Sequence, residues 1–152
     1  MKIVEYLKPE LIIENIGAKN KKEALEEFSR CIERVLGLKA EKILHVLIER
    51  EKLGSTGIGE GVAIPHGKLH ELEQLVCCFG RSREGIDFEA IDGKPVHLVF
   101  LLLAPENSAG THLKALAKIS KILKDPAFRE QLIQAADAEE IYRIIKEEDD
   151  KL

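Results

Sequence analysis

Ala24, Leu25, Phe28, Cys31, Ile32, Val35 and Leu36 recur three and four positions apart, the spacing of one helix face. Asn20, followed three residues later by Glu23, resembles a capping box, and Gly37 can close the helix. A second helix is predicted over 40–52 from the stripe Ile43, Leu44, Leu47 and Ile48. Gly54 stands where its C-terminal cap belongs. Residues 11–13 and 74–83 read as strands. The Val-, Leu- and Phe-rich run over 96–104 reads as a central strand buried on both faces. Gly85 and the Asp92-Gly93 pair mark turns. Helices return over 111–124, with Leu113, Leu116, Ala117, Ser120 and Leu123 on one face. A short one starts at Asp125-Pro126 and carries Phe128 and Leu132. A last one over 138–148 carries Ile141, Ile144 and Ile145. Helices thus flank a strand-rich middle, with no repeat and no linker. The class is α/β, a sheet layered between helices.

Composition narrows the options. A length of 152 residues, 45% of them hydrophobic, suits one domain with a core of its own. The apolar run from Leu98 to Ala104 is far short of the roughly 18–20 residues that span a bilayer. The start MKIVEYLKPE has no signal-peptide apolar core. These features predict one cytoplasmic domain without membrane insertion. Basic residues number 23 and acidic ones 27, for a net charge of −4, and Trp is absent. With no basic block and few aromatics, nucleic acid is not an expected partner. The three cysteines are Cys31, Cys77 and Cys78. An odd count with two adjacent argues against a disulfide framework and fits a reducing compartment.

The outlier is GSTGIGEGVAIPHG, residues 54–67, which holds five of the eleven glycines. It reads as a long ordered loop containing one short buried strand over 62–64. Glycine-rich backbone can converge N–H groups on an anion. The nucleotide templates fail, however. Glu60 stands where a P-loop needs Lys, and Val62 breaks G-x-G-x-x-G. Pro65 stiffens the approach to His66, and Gly67 lets the chain turn away. A histidine so held and reachable suits covalent phosphoryl chemistry. A turn histidine without a role is the other reading.

His112 is placed in the first turn of a helix capped by Thr111 or Ser108, where partial positive charge and free N–H groups favour an anion. It reads equally as a polar residue at a helix start. His66 and His70 are four apart, as metal ligands on a helix can be. Gly67 replaces the Glu of H-E-x-x-H, and no third ligand is evident nearby. Cys77 and Cys78 point to opposite faces of a strand and read as core residues. His45 and His97 sit in apolar patterns and read as structural. Arg50 and Lys52 lead into the glycine-rich stretch, so one of them can reach a phosphate there.

The stretch EREKLGSTGIGEGVAIPHGKL, residues 49–69, resembles the active-site signature of fructose/mannitol-class IIA proteins of the bacterial phosphotransferase system. FEAIDGKPVHLVFLLLAPENSAGTHLKALAKISKIL resembles the same class. Within it, GSTGIG-x-GVAIPHGKL looks most like the nitrogen-regulatory branch. The resemblance implies a single IIA domain over 1–152, with three α/β/α layers and a mixed central sheet. It implies a phosphotransferase component with a phosphohistidine intermediate. His66 matches the phosphorylated residue, and His112 and Arg50 match residues that stabilise the phosphoryl group. Ser55, Thr56, Gly57, Gly59, Pro65 and Gly67 form the loop that supports them. No metal or other cofactor is implied. The implied donor is the carrier HPr or its nitrogen-branch counterpart. The implied recipients are a IIB cysteine or regulatory targets such as potassium transport proteins and sensor kinases. A regulatory module without phosphotransfer, a metal hydrolase using His66, His70 and His112, and a glycine-loop nucleotide binder stand as alternatives.

Overall fold

The computed structural model describes residues 1–151. Two 3₁₀ turns, Ile3–Glu5 and Pro9–Leu11, precede strand β1 at Ile12–Ile13. Helices α1 (Lys21–Leu36) and α2 (Ala40–Glu51) follow. Next come short strands β2 (Gly57–Gly59), β3 (Val62–Ala63) and β4 (His66–Leu69), then long strands β5 (Val76–Ile86) and β6 (Val96–Pro105). Helices α3 (Ala109–Leu123), α4 (Pro126–Gln134) and α5 (Ala138–Asp150) complete the chain. Among the described residues, no helix is long and apolar enough to cross a membrane.

Local signals set the helix ends. The Asn20 side chain accepts the Glu23 N–H at 2.9 Å. Glu23 reaches back to the N–H of Lys19 rather than that of Asn20. Gly37 closes α1 at φ +76°, its N–H on the Glu33 carbonyl at 2.8 Å. Asp125 and Asp137 cap α4 and α5 with their side chains.

The sheet runs β1-β5-β6-β3-β2, with β4 also on β6. β5 and β6 are antiparallel; β1 lies parallel to β5, and β3 and β4 lie parallel to β6. The sheet is therefore mixed. Paired residues share a face, so register assigns the layers. Gly80 opposite Val99 and Gly67 opposite Leu103 face α1 and α2, where an added Cβ would meet Phe28 and Val46. Arg81 opposite Leu98 faces the other way, donating to carbonyls of Leu132 and Ile133 at the end of α4. The result is three layers: α1 and α2, the sheet, and α3 to α5. β6 is buried along almost all its length.

Several sequence expectations need correction. The glycine-rich stretch is not one loop with a single strand. It forms β2 and β3 and leads into β4. β3 and β4 pair with residues 36 positions further on in both segments, so they are one interrupted strand with Ile64 and Pro65 at the break. Gly85 marks no turn. It lies within β5 at φ +95°, where the β5–β6 register slips. α2 is capped by Lys52, not Gly54. α3 begins at Ala109, two residues early. Of the two expected caps, Ser108 holds the N-cap position and its carbonyl accepts the His112 N–H at 2.9 Å, but its hydroxyl donates to the Pro105 carbonyl and makes no cap bond, while Thr111 lies inside the helix. His45 is exposed on α2 rather than structural.

Candidate functional site

His66 is the first residue of β4. Its partner across the ladder is Leu102, which turns its side chain toward the α3 layer. Among the described residues β4 has a strand neighbour only on the β6 side. The imidazole therefore sits at an open sheet edge, where α2 reaches round from one layer and α3 from the other. Between them lies a cleft of about 510 Å³, lined in part by Arg50, Leu53, His66, Lys68, His112 and Leu113.

The surrounding backbone explains the local sequence. The Ser55 hydroxyl donates to the Phe88 carbonyl and accepts the Gly57 N–H. At Gly57 an added Cβ would come within 2.9 Å of Ala90. Gly59 adopts φ +99°, a region closed to most side chains. A Cβ at Gly67 would meet Val46 at 3.0 Å, so glycine lets α2 approach β4 closely. Pro65 is buried, and its carbonyl accepts the Leu102 N–H at 3.0 Å.

Both ring nitrogens of His66 have partners. Nδ1 lies 2.9 Å from the Ile64 carbonyl. A carbonyl only accepts, so Nδ1 carries the proton. Arg50 donates its Nε–H to Nε2 at 3.2 Å, which requires a lone pair on Nε2. An Arg50 Nη1 bond to the Gly54 carbonyl at 2.9 Å steadies the guanidinium. The His112 ring stands at 85° to that of His66, with centroids 5.5 Å apart. His112 is 6% exposed, and its Nδ1 is buried with no hydrogen-bond partner. Arg50, His66 and His112 thus converge. Lys52 does not reach the cleft and pairs with Glu49 at 3.3 Å.

Electrostatics favour neutral imidazoles. Burial holds the His66 pKa below its ordinary value; the Ile64 bond opposes this, the Arg50 charge adds to it, and Glu51 opposes it. His112 is lowered by burial, then by His66 and Lys68. A protonated Nε2 has no lone pair, so reaction at this nitrogen weakens only as pH falls through the folded-state pKa. The acid limb of any pH–rate profile should lie below the usual value near 6.5. Stability follows the same sign. The histidine contribution is complete above the ordinary imidazole pKa and is lost as pH falls below it. Proton NMR titration of both rings checks this, with apparent pKa values under 6.5 expected for each.

The metal arrangement read from His66, His70 and His112 does not assemble. His70 is exposed and contacts Glu106 at 3.3 Å. Among the described residues no three His, Cys, Asp or Glu side chains cluster to hold an ion. Cys31, Cys77 and Cys78 are buried free thiols.

Two residues beside the site were missed in the sequence. Lys68 lies two along from His66 on the same strand, hence on the same face. Glu51 is 8% exposed. It continues the α2 stripe Ile43, Leu47 at four-residue spacing, so a carboxylate on an apolar face was the available signal.

The chain is thus a three-layer α/β/α domain with two histidines meeting at an open sheet edge. The family model described as "Phosphoenolpyruvate-dependent sugar phosphotransferase system, EIIA 2" matches residues 5–148, and the chain belongs to that family. It is 44% identical over 145 residues to a nitrogen regulatory protein of Bradyrhizobium diazoefficiens, covering 95% of each chain. It is 38% identical over 150 residues to the fructose-specific EIIABC component of Bacillus subtilis, covering 98% of this chain and 24% of that protein. Among solved structures, IIA-Ntr from Neisseria meningitidis superposes with TM-score 0.88 at 41% identity, covering 94% of this chain and 98% of that one. IIA mannitol from Escherichia coli shares the fold at TM-score 0.76 and 23% identity, covering 91% and 97%. The resemblance read from residues 49–69 and the later stretch is borne out, with both nitrogen-regulatory and fructose-type relatives matching.

Proposed function

We propose that this chain is a phosphocarrier in which His66 accepts a phosphoryl group at Nε2 from a phosphohistidine of HPr or of a nitrogen-branch counterpart. The observation that carries this reading is the tautomer: Nδ1–H is tied to Ile64, and the Nε2 lone pair faces the cleft beside Arg50. In the transfer the N–P bond of the donor breaks and the Nε2–P bond forms. The electron pair of the broken bond returns to the donor imidazole, whose other ring nitrogen keeps a proton so that it leaves neutral, and the Nδ1 proton of His66 stays in place. Such a reaction needs in-line positioning and charge stabilisation above all. Arg50 and His112 flank the nitrogen that would carry the group. Ser55, Thr56, Gly57, Gly59, Pro65 and Gly67 shape the backbone that holds it. Exposed Leu53 and Leu113 on the rim offer apolar contact to a docking carrier.

The phosphorylated form then either passes its group to a IIB cysteine or acts as a regulatory state. The likeness to nitrogen regulatory proteins supports the regulatory use, with potassium transport proteins and sensor kinases as targets. The likeness to a fructose-specific component supports the first use. Incubation with purified phosphorylated carriers of the sugar and nitrogen branches, side by side, tests the reading. One acid-labile, base-stable phosphate per chain is expected, with phosphorus NMR showing phosphorus on Nε2. Absence of label with either carrier refutes it.

A further inference from the structure

Adjacent residues in the last turn of α2 connect to opposite nitrogens of His66. Arg50 does so directly, at Nε2. Glu51 points inward. One of its carboxylate oxygens accepts the Thr56 N–H at 3.0 Å and lies 3.0 Å from Lys21 Nζ; the other accepts the Thr56 hydroxyl. Thr56 is 3% exposed, so both its donors are committed to one buried carboxylate. Its carbonyl accepts the Ile64 N–H at 3.0 Å. The Ile64 carbonyl then accepts the Nδ1–H of His66 at 2.9 Å. An unbroken line of hydrogen bonds and backbone therefore runs from the Glu51 carboxylate to the imidazole.

We propose that Glu51 is a positioning residue: by clamping Thr56 it fixes the Ile64 carbonyl, and so keeps His66 as the Nδ1–H tautomer with the lone pair on Nε2. The consequence for phosphoryl transfer rests on the reading of His66 as the acceptor. The chemistry of the clamp selects a carboxylate. The Thr56 N–H and the Lys21 ammonium can only donate, the Thr56 hydroxyl donates as well, and an ionised carboxylate accepts all three. A glutamine keeps one oxygen for the Thr56 N–H, but its N–H₂ must donate to the Thr56 hydroxyl, which reverses that bond, and the charge that holds Lys21 is lost. The ring tautomer is decided by the partner of the other nitrogen, so a displaced Ile64 carbonyl releases Nδ1–H and lets the proton move to Nε2. That move would remove the lone pair and break the match with the Arg50 Nε–H. Lys21 opens α1 and has Glu89 as its other carboxylate neighbour, at 3.8 Å and largely exposed. Glu51 is thus the buried member that joins α1, α2 and the glycine-rich segment.

The test is nitrogen-15 NMR of the ring nitrogens in the full chain at neutral pH, with no carrier present. Wild type should show Nδ1 protonated and Nε2 bare. Glu51→Gln and Thr56→Val should shift both signals toward an averaged tautomer mixture, whereas Thr56→Ser, which keeps both donors, should retain the wild-type pattern. Transfer from phosphorylated carrier should slow about tenfold or more in the first two variants, as when the partner orienting a functional histidine is lost. Their phosphorus spectra should show a share of phosphate on Nδ1. A folded Glu51→Gln or Thr56→Val chain with unchanged ring signals overturns the proposal. If Glu51→Gln does not fold, the Thr56 pair decides alone. If no carrier phosphorylates wild type, the acceptor reading fails, and the ring signals still decide the role of Glu51.

Discussion

Replacing His66 by Gln should abolish phosphorylation outright, rather than slow it. Glutamine can fill much of the space of the imidazole and offer hydrogen bonds to Ile64 and Arg50. It has no nucleophilic nitrogen lone pair, because the amide nitrogen is conjugated with its carbonyl. Among the described residues, the aromatic ring that lies against His66 is that of His112. The Nδ1 atom of His112 is buried, and no hydrogen bond fixes its tautomer. The expected result is a variant with native circular dichroism and thermal midpoint but no acid-labile label after prolonged exposure to phosphorylated carrier. Stoichiometric label on His66→Gln would disprove the assignment. Label mapped to His112 in the unaltered chain would reverse the two histidine roles.

The helices were legible in the sequence because their signals are local. Asn20 and Gly37 bracket α1, and apolar spacing of three and four residues marks its buried face; on α3 the stripe read from Leu113 and Ala117 is exposed, and His112, Ala115, Ile119 and Ile122 are buried instead. The run over 96–104 was legible as a central strand because burial on both faces leaves no polar alternation. The strands around the site were not. β2, β3 and β4 are two to four residues long, too short for a periodic signal. β3 and β4 exist because β6, more than thirty positions away, supplies their partner. Gly85 shows the same limit. A glycine at positive φ serves a turn or a bulge equally well, and only the register across to β6 distinguishes them.

The site divides along the same line. Pro65-His66-Gly67 could be singled out from local stiffness, and Arg50 from its position before the glycine-rich stretch. That His112 stands against His66 depends on how α3 packs across the sheet edge. No spacing rule carries that, and the family resemblance alone suggested it. Glu51 was overlooked because a carboxylate in a last helical turn reads as solvated. Its burial follows from the donors that Thr56 and Lys21 bring to it from separate segments.

Arg50→Ala and His112→Ala should each leave His66 phosphorylatable but slow. On the proposed reading, negative charge spreads over the phosphoryl oxygens in transit, and the guanidinium beside Nε2 would meet it with N–H groups already in place. Loss of one such donor typically costs about 10²–10³ in rate. Arg50 is half-buried, so water partly replaces it, and a loss near about 10² is expected. His112 is nearly enclosed and its ring stands edge-on to that of His66, so water replaces it less readily than Arg50. Removal of His112 should shorten the phosphohistidine lifetime as well as slow transfer. Arg50→Lys should recover little, because an ammonium cannot reproduce the planar fork that bonds Nε2 and the Gly54 carbonyl together. The double variant should lose less than the product of the two single effects, because both groups serve the same oxygens. Single-turnover rates from phosphorylated carrier, with phosphohistidine half-lives for each variant, measure all of this. Wild-type rates and lifetimes in both single variants would remove Arg50 and His112 from the phosphoryl-binding role and leave His66 acting alone.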